Sequence, residues 1–341
     1  MPNYFISVII PVYNGKNTLG LCLKSIFNSD YPIFECIVVD DFSTDNSVQI
    51  AETFNVKVVP SDSQKGAAHA RNRGAEVAGG DILLFVDADV TIYPDSIRKV
   101  AKAFEEYPDI SALFGSYDDH PGCPNFFSQY KNLFHHYIHQ TSREDASTFW
   151  SGFGAIKKEV FFTVNGFDQN KYSNACIEDI EMGSRLKKMG YQILLYKQLQ
   201  VKHLKRYSFS NLWKSDLFDR AIPWTIVMLS NRKLTSDLNL KHEHKLSAGI
   251  LFCVIFFILL TLKSIWFLVV IPFLLLIFFI LNHDFYSFFL NKKGRLFTLK
   301  IIPFHFLYYL YSTLGFLIGS FKYVYDKHTD IIKNITSKKG I

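Results

Sequence analysis

The chain is poor in cysteine and does not group what it has. Cys22, Cys36, Cys123, Cys176 and Cys253 are scattered, with no close pairing. That spacing excludes a disulfide framework and points to reduced, buried thiols in a cytoplasmic protein. No apolar run follows Met1, so no secretory leader is expected. Tandem repeats and low-complexity linkers are lacking. Neither sign of charge dominates: 37 Lys and Arg stand against 31 Asp and Glu, a net charge of +6. Such a surplus suits anionic lipid headgroups or phosphorylated partners. The basic residues gather beside apolar segments, so membrane topology explains them and nucleic acid is a poor partner. What the chain has in excess is apolar mass. It is 49% hydrophobic with 33 Phe among 341 residues, and the excess lies after residue 246. This length accommodates one domain of ordinary size followed by an apolar helical one.

The first domain reads as alternating strands and helices. Phe5 to Pro11 is a β-branched, apolar run and is predicted as a buried strand. Thr18 to Phe27 has helical spacing, with Leu19, Leu23 and Ile26 on one face. Strands are predicted at Cys36–Val39, Val56–Val59 and Asp81–Val86, with helices at Val48–Phe54 and Ala67–Ala78. This order implies βαβ units and a mostly parallel sheet, which binds ligands beyond the carboxyl ends of its strands. Three polar segments fall at those ends: Pro11-Val12-Tyr13-Asn14, Asp40-Asp41 and Asp87-Ala88-Asp89. In extended chain, side chains two apart share a side. Asp87 and Asp89 can therefore converge on one divalent cation, Mg²⁺ or Mn²⁺, which usually shares its coordination with substrate phosphates. The alternative for a lone Asp-x-Asp is a turn after a strand.

Ser7 to Asn14, Val38 to Asp45, Lys65 to Gly74 with its Ala-Arg-Asn-Arg-Gly, and the Asp-Ala-Asp together resemble an inverting family 2 glycosyltransferase of GT-A type. The resemblance covers roughly residues 5–225. It implies a Rossmann-like α/β domain with a mostly parallel sheet, a nucleotide-sugar donor and a divalent metal. By the same resemblance Pro11, Val12 and Tyr13 line the nucleotide base. Tyr13 offers a π face for stacking, or is simply a packed loop aromatic. Asp41 accepts the pyrimidine imide N–H, while Asp40 caps the following helix in the competing reading. Lys65 and Arg71 face the donor, where cations offset diphosphate charge. Arg73 fits a solvated helix face equally well. Asp89 chiefly holds the metal, and Asp87 orients donor and metal.

The acceptor half begins after the metal motif. Trp150-Ser151-Gly152-Phe153-Gly154-Ala155, an amphipathic stretch from Ile156 to Val164, and Asn165-Gly166-Phe167-Asp168 resemble the family's segment beneath the acceptor. Gly152 and Gly154 permit close backbone approach, for contact with the acceptor or for a structural turn. Ile177-Glu178-Asp179-Ile180-Glu181 opens a helix, where carboxylates also serve as caps. The resemblance assigns the general base to Asp179. Glu178 then holds the acceptor or neighbouring groups. His203 stands where some relatives contact the metal or diphosphate; imidazole is a common ligand, and a structural histidine is the alternative. Lys205 and Arg206 lie beside it.

Further on, Asp219 to Trp224 faintly resembles the Gln-x-x-Arg-Trp motif of processive synthases. It lacks the Gln and separates Arg220 from Trp224, so an interfacial segment bearing Trp213, Phe218 and Trp224 is the simpler reading. Candidate membrane spans are 247–262, 265–281 with Pro272 inside, and 301–321. The first two sit near the short limit for a span, with Lys263 snorkelling at the turn. Lys292, Lys293, Arg295 and Lys300 fall between the second and third runs, which puts that connection in the cytoplasm. Segment 301–321 either spans, the preferred reading, or lies in the interface.

The expected organisation is a cytoplasmic catalytic domain over 1–230 (donor half 1–115, acceptor half 116–230), a polar juxtamembrane boundary over 231–245, a membrane domain over 246–322 and a Lys-rich tail over 323–341. The expected activity is metal-dependent transfer of a sugar, from a UDP-sugar by analogy, to a hydroxyl of a lipid-linked or cell-surface glycan acceptor at the cell membrane. Two alternatives remain: a polyprenyl-phosphate glycosyltransferase, and an inactive membrane scaffold of the same fold.

Overall fold

The computed structural model describes residues 4–172, 176–231, 238 and 241–338, with side chains described to residue 329. The chain divides into two compact units, Met1–Tyr207 and Ser208–Ile341. The first is built on eight strands: β1 (Ile6–Val12), β2 (Phe34–Asp40), β3 (Lys57–Pro60), β4 (Ile82–Val86), β5 (Val90–Ile92), β6 (Ile110–Tyr117), β7 (Phe153–Lys157) and β8 (Gln192–His203). Their order across the sheet is β3-β2-β1-β4-β7-β6-β8-β5. β3, β2, β1 and β4 run parallel. Helices Leu19–Phe27, Ser47–Glu52 and Ala67–Val77 make the crossovers that parallel strands require. All five residues of β4 are buried, which explains its unbroken apolar run: a strand covered on both faces has no polar side to alternate with.

The sheet is mixed. β7 is antiparallel to both its neighbours, β4 and β6, and β5 is antiparallel to β8. Because β7 reverses direction between two strands that point the same way, the carboxyl ends of β1, β2, β4, β6 and β8 lie on one edge. The residues leading into β7 arrive at that edge as well, since Val86 pairs with Phe153. The amphipathic stretch expected from Ile156 to Val164 is in fact the end of β7 followed by a short helix, Lys158–Thr163. Phe153, Ala155 and Ile156 are all buried in β7, so a strand covered on both faces blends into the helix's apolar face and shows no period of its own.

The second unit is helical. Helix Phe209–Lys214 passes into a π-helical segment, Ser215–Ala221, and then into helix Ile222–Ser230, with Pro223 in its first turn. These residues, which the sequence reading attached to the first domain, belong to the second compact unit. Gly315 and Gly319 let the last long helix close on them: a Cβ on Gly315 would lie 2.5 Å from the Ala221 methyl, and one on Gly319 2.8 Å from the Ile222 carbonyl oxygen. Beside that contact the buried Asp216 carboxylate accepts the Tyr311 hydroxyl at 2.9 Å. Helix His242–Leu260, a 3₁₀ turn at Ile265–Val269 and helix Val270–Leu281 follow. The last helix, His283–Lys338, breaks at Gly294, where φ is 79°. The basic run from Lys292 to Lys300 therefore lies on helix to either side of that break. His242–Leu260 and His283–Thr329 are long and apolar enough to cross a membrane, and Ile265–Leu281 is apolar but shorter. Most of the boundary 231–245 before residue 241, and the tail lysines beyond residue 329, lie outside the described residues or side chains.

Among the described residues no cysteine is joined in a disulfide. Cys22 and Cys36 are buried, and burial pushes both thiols up, Cys36 to about 12. Cys253 is exposed, and Cys123 and Cys176 are half-buried. The expectation that all five are interior thiols is corrected at those three positions.

Candidate active site

The strand ends on the common edge are stapled to one another before they offer anything to a ligand. Beyond β1, the Asn14 side-chain oxygen accepts the Thr44 N–H at 2.8 Å, and the Asn14 N–H donates to the Ser43 hydroxyl at 2.9 Å. Asp40, at the end of β2, accepts the Ser43 N–H and so turns its own loop rather than capping the next helix; Asp45, just ahead of that helix, accepts the Ser47 N–H at 3.0 Å. Asp41 is buried and accepts the N–H groups of Lys65 and Gly66 at 2.9 and 2.8 Å. It thereby ties the loop before helix Ala67–Val77 to the end of β2 and leaves the Lys65 side chain exposed. Val12 faces the core, whereas Pro11 is half-buried and Tyr13 is 47% exposed. Strand alternation turns Val12 to the face of the sheet opposite Pro11. Arg73 is paired with Glu76 on the solvated face of its helix.

Arg71 is buried at the centre of the site. One guanidinium nitrogen donates to Asp87 Oδ1 at 2.8 Å, and another donates to Glu178 Oε1 at 2.7 Å. The guanidinium also lies over the Phe167 ring, 5.6 Å from its centre. The rigid planar fork meets the two carboxylates through two separate nitrogens. Arg71 thus acts as a strut between the Asp-Ala-Asp after β4 and the Glu-Asp pair that opens helix Glu178–Lys188. From sequence, Arg71 is expected at the donor diphosphate and Glu178 at the acceptor or neighbouring groups; the structure has Glu178 on the neighbouring Arg71. Both side chains are committed to each other, with Glu178 Oε2 also accepting the Cys176 N–H at 2.8 Å.

Asp179 is held differently. Its Oδ2 accepts the Ser151 N–H at 3.0 Å and the Ser151 hydroxyl at 3.2 Å, and its Oδ1 accepts the Ile180 N–H at 2.8 Å. Burial and the neighbouring Glu178 charge push its carboxyl up to about 6, against the downward pull of the Ser151 N–H and Arg71. Such a carboxylate is ionised at neutral pH yet basic enough to take a proton. Close packing fixes its helix. A Cβ on Gly183, one turn beyond Asp179, would lie 2.2 Å from the Phe149 backbone nitrogen. Backbone cannot yield as a side chain tip can, so Gly183→Ala is expected to destabilise the first unit by about 1–3 kcal/mol. A shift of the urea midpoint to lower concentration would register it; an unchanged midpoint would mean that the helix is free to move.

Asp87 and Asp89 do not converge on each other. Asp87 goes to Arg71; burial pushes its carboxyl up, Arg71 pulls it back, and Asp89 adds a further upward push. Asp89 Oδ2 lies 3.4 Å from His203 Nε2. Burial would raise the Asp89 carboxyl, but the adjacent imidazole outweighs it and holds the group below its usual range. His203 ends β8, pairs in register with Val90, and is 3% exposed. Its ring stacks on Tyr117 at 4.2 Å and 6°, and its Nδ1 meets Asn132 Oδ1 at 2.7 Å. Among the described residues no three His, Cys, Asp or Glu side chains converge as a preformed metal cluster. One carboxylate and one oriented imidazole nitrogen nonetheless fit a divalent cation that takes its remaining ligands from a diphosphate and water.

Trp150 packs edge-on to Tyr117 with ring centres 4.9 Å apart, and against His135 and His139. Gly152 sits beneath it: a Cβ there would lie 2.5 Å from the indole. The Gly152 carbonyl accepts the Asp87 N–H at 3.1 Å. Both residues therefore shape the wall behind Asp87-Ala88-Asp89. Buried His139 is pushed down to about 4 and stays neutral.

Ser151, Asn132 and Tyr117 were not anticipated. Asn132 lies 71 positions from His203, so no local spacing joins them. Ser151 stood inside a recognised stretch, next to a Trp and a Gly that drew attention first.

Residues 7–163 match the family described as Glycosyl transferase family 2, and residues 132–208 match the N-terminal domain of galactosyltransferase. The uncharacterized glycosyltransferase YibD of Escherichia coli is 42% identical over 94 residues, which are 26% of this chain and 27% of that protein. The Escherichia coli protein WfgD, a UDP-Glc:alpha-D-GlcNAc-diphosphoundecaprenol beta-1,3-glucosyltransferase, is 30% identical over 121 residues, 35% of this chain and 47% of that one. The matches thus span less than half of either relative. Among solved structures, the mannosyltransferase PcManGT from Pyrobaculum calidifontis, in complex with GDP-Man and Mn²⁺, aligns over 95% of this chain and 88% of its own, with a TM-score of 0.53 at 18% identity. That likeness shows the fold: a GT-A-like mixed sheet followed by a C-terminal helical region.

Proposed function

We propose, from a chain whose residues 7–163 form a Glycosyl transferase family 2 domain, that the protein is a membrane-anchored inverting glycosyltransferase acting on a hydroxyl acceptor. The observation that carries this reading is the Asp179 carboxylate, pushed up to about 6 and held by Ser151, in the segment that enters β7 at the edge where the parallel strands end. Asp179 takes the proton of the acceptor hydroxyl as its oxygen attacks the anomeric carbon from the face opposite the nucleotide. The bond to the diphosphate breaks, and the configuration inverts. Tyr13 stacks on the donor base with Pro11 and Asp41 beside it, and the exposed Lys65 offsets phosphate charge. Asp89 and His203 would hold Mg²⁺ or Mn²⁺, which stabilises the departing diphosphate when bound. A UDP-sugar is the favoured donor.

Membrane anchoring is supported by the character of the second unit. Only 17% and 22% of the most apolar windows of its two long helices are buried, unlike the core helix of a water-soluble domain. Leu262, Ile265, Trp266 and Val269, around the turn between the first two apolar helices, are 66–85% exposed. Such an anchor suits a lipid-linked or surface-glycan acceptor. A phosphate acceptor is already ionised and needs no base, so the poised Asp179 argues against polyprenyl-phosphate transfer.

The test is nucleotide release from a panel of UDP-, GDP- and dTDP-sugars by the detergent-solubilised protein, with Mn²⁺, Mg²⁺ or EDTA. Release from one donor is expected, lost in EDTA and in Asp89→Ala. If no donor nucleotide binds at all, with or without metal, the scaffold reading replaces this one.

A further inference from the structure

We propose that Asn132 is a positioning residue for the cation site, acting through His203. The inference rests on the reading of His203 as a ligand and extends it to a residue in a different element. Three contacts fix the His203 ring. Tyr117 sets its plane, with ring centres 4.2 Å apart and nearly parallel. Strand pairing with Val90 fixes its backbone. Asn132, from the middle of helix Phe126–Thr141, sets its rotation about that plane through the 2.7 Å contact of Oδ1 with Nδ1.

The chemistry of that contact is one-sided. An amide oxygen only accepts, so His203 Nδ1 carries the proton in either charge state, and Nε2 is the nitrogen turned to Asp89. Asn132 is 1% exposed and His203 3%, so water does not compete for the contact. A buried amide bonded to an imidazole seldom serves packing alone, since apolar residues would fill the space without a desolvation cost. Among the described residues its amide nitrogen has no hydrogen-bond partner, so within them the Nδ1 contact is the polar interaction that burial of this amide secures. This is the arrangement by which a second residue orients a ligating histidine and raises its basicity.

Mn²⁺ binding to the intact, detergent-solubilised chain tests this, with free Mn²⁺ followed by electron paramagnetic resonance. Asn132→Leu, close in volume but unable to accept, is expected to weaken Mn²⁺ binding about 10–100-fold. Asn132→Asp, which restores an acceptor, should stay within about threefold of the unmodified protein, and His203→Ala should lose at least as much as Asn132→Leu. If His203→Ala weakens binding and Asn132→Leu does not, the proposal for Asn132 is overturned while the ligand role of His203 stands. If His203→Ala binds Mn²⁺ as the unmodified protein does, the ligand role fails and the proposal with it. A readout free of folding effects is the ¹⁵N signal of the His203 ring in the unmodified protein without metal, identified by its loss in His203→Ala. A proton on Nδ1 is expected; a neutral ring protonated on Nε2 alone overturns the proposal.

Discussion

Asp179→Asn should lower kcat by about 10²–10⁴-fold and leave nucleotide affinity nearly unchanged. The amide is isosteric and still accepts one of the hydrogen bonds that Ser151 and Ile180 now donate to the carboxylate. What it cannot do is accept the acceptor proton. The pH profile of the unmodified protein carries the same information. With the carboxyl pushed up to about 6, kcat/KM should climb as pH rises through about 6 and then level off. The shift also bears on stability. The folded state holds this proton more tightly than the unfolded chain, so the contribution of Asp179 to stability declines as pH rises from about 4 towards about 6. Asp179→Asn removes that decline. A variant that transfers sugar to a hydroxyl at the full rate would remove Asp179 from the mechanism; transfer retained only towards a phosphate acceptor would redirect the function to polyprenyl-phosphate chemistry.

The second large effect is on folding. Arg71→Met strands Asp87 and Glu178, of which Glu178 is 4% exposed, without their shared cation. Breaking a buried ion pair by removing one partner costs about 3–5 kcal/mol, because the remaining charge stays in a poor solvent. Arg71→Lys keeps the charge but replaces the rigid two-nitrogen fork with a single, strongly hydrated ammonium nitrogen, so an intermediate loss is expected. Urea denaturation without nucleotide or cation measures this directly. Were Arg71 a cation held ready for the diphosphate, its removal would leave the ligand-free stability alone and raise only the donor KM. Those two outcomes are separable in one set of melts and rates.

The donor half was largely legible in the sequence because its cues are local. A buried parallel strand announces itself as an unbroken apolar run, and the polar residues that end it follow immediately, as Asp87 follows Val86. Helix Ala67–Val77 and strands β1 to β4 could be bounded to within a residue or two on that basis. β7 could not, since a five-residue strand buried on both faces and running straight into a helix has no period of its own. Nor could the partners of the charged residues be read. Arg71 and Glu178 stand 107 positions apart, and which carboxylate a buried arginine selects depends on which loops the sheet brings to one edge. Asp87 and Asp89 show the limit most plainly. Their spacing correctly put both at the strand exit, but the alternation argument made them co-ligands, whereas the fold supplies each with its own partner.

The arginine strut has a consequence for how such a chain can be recombined. It joins a residue in the donor half to one in the acceptor half, so the two halves are not interchangeable cassettes. A hybrid taking residues 1–115 from one parent and 116–230 from another inherits both ends of the strut only if the first parent supplies the arginine with its Asp87 counterpart and the second supplies the acid at 178. A mismatched hybrid would bury an unanswered charge between the loop after β4 and the start of helix Glu178–Lys188.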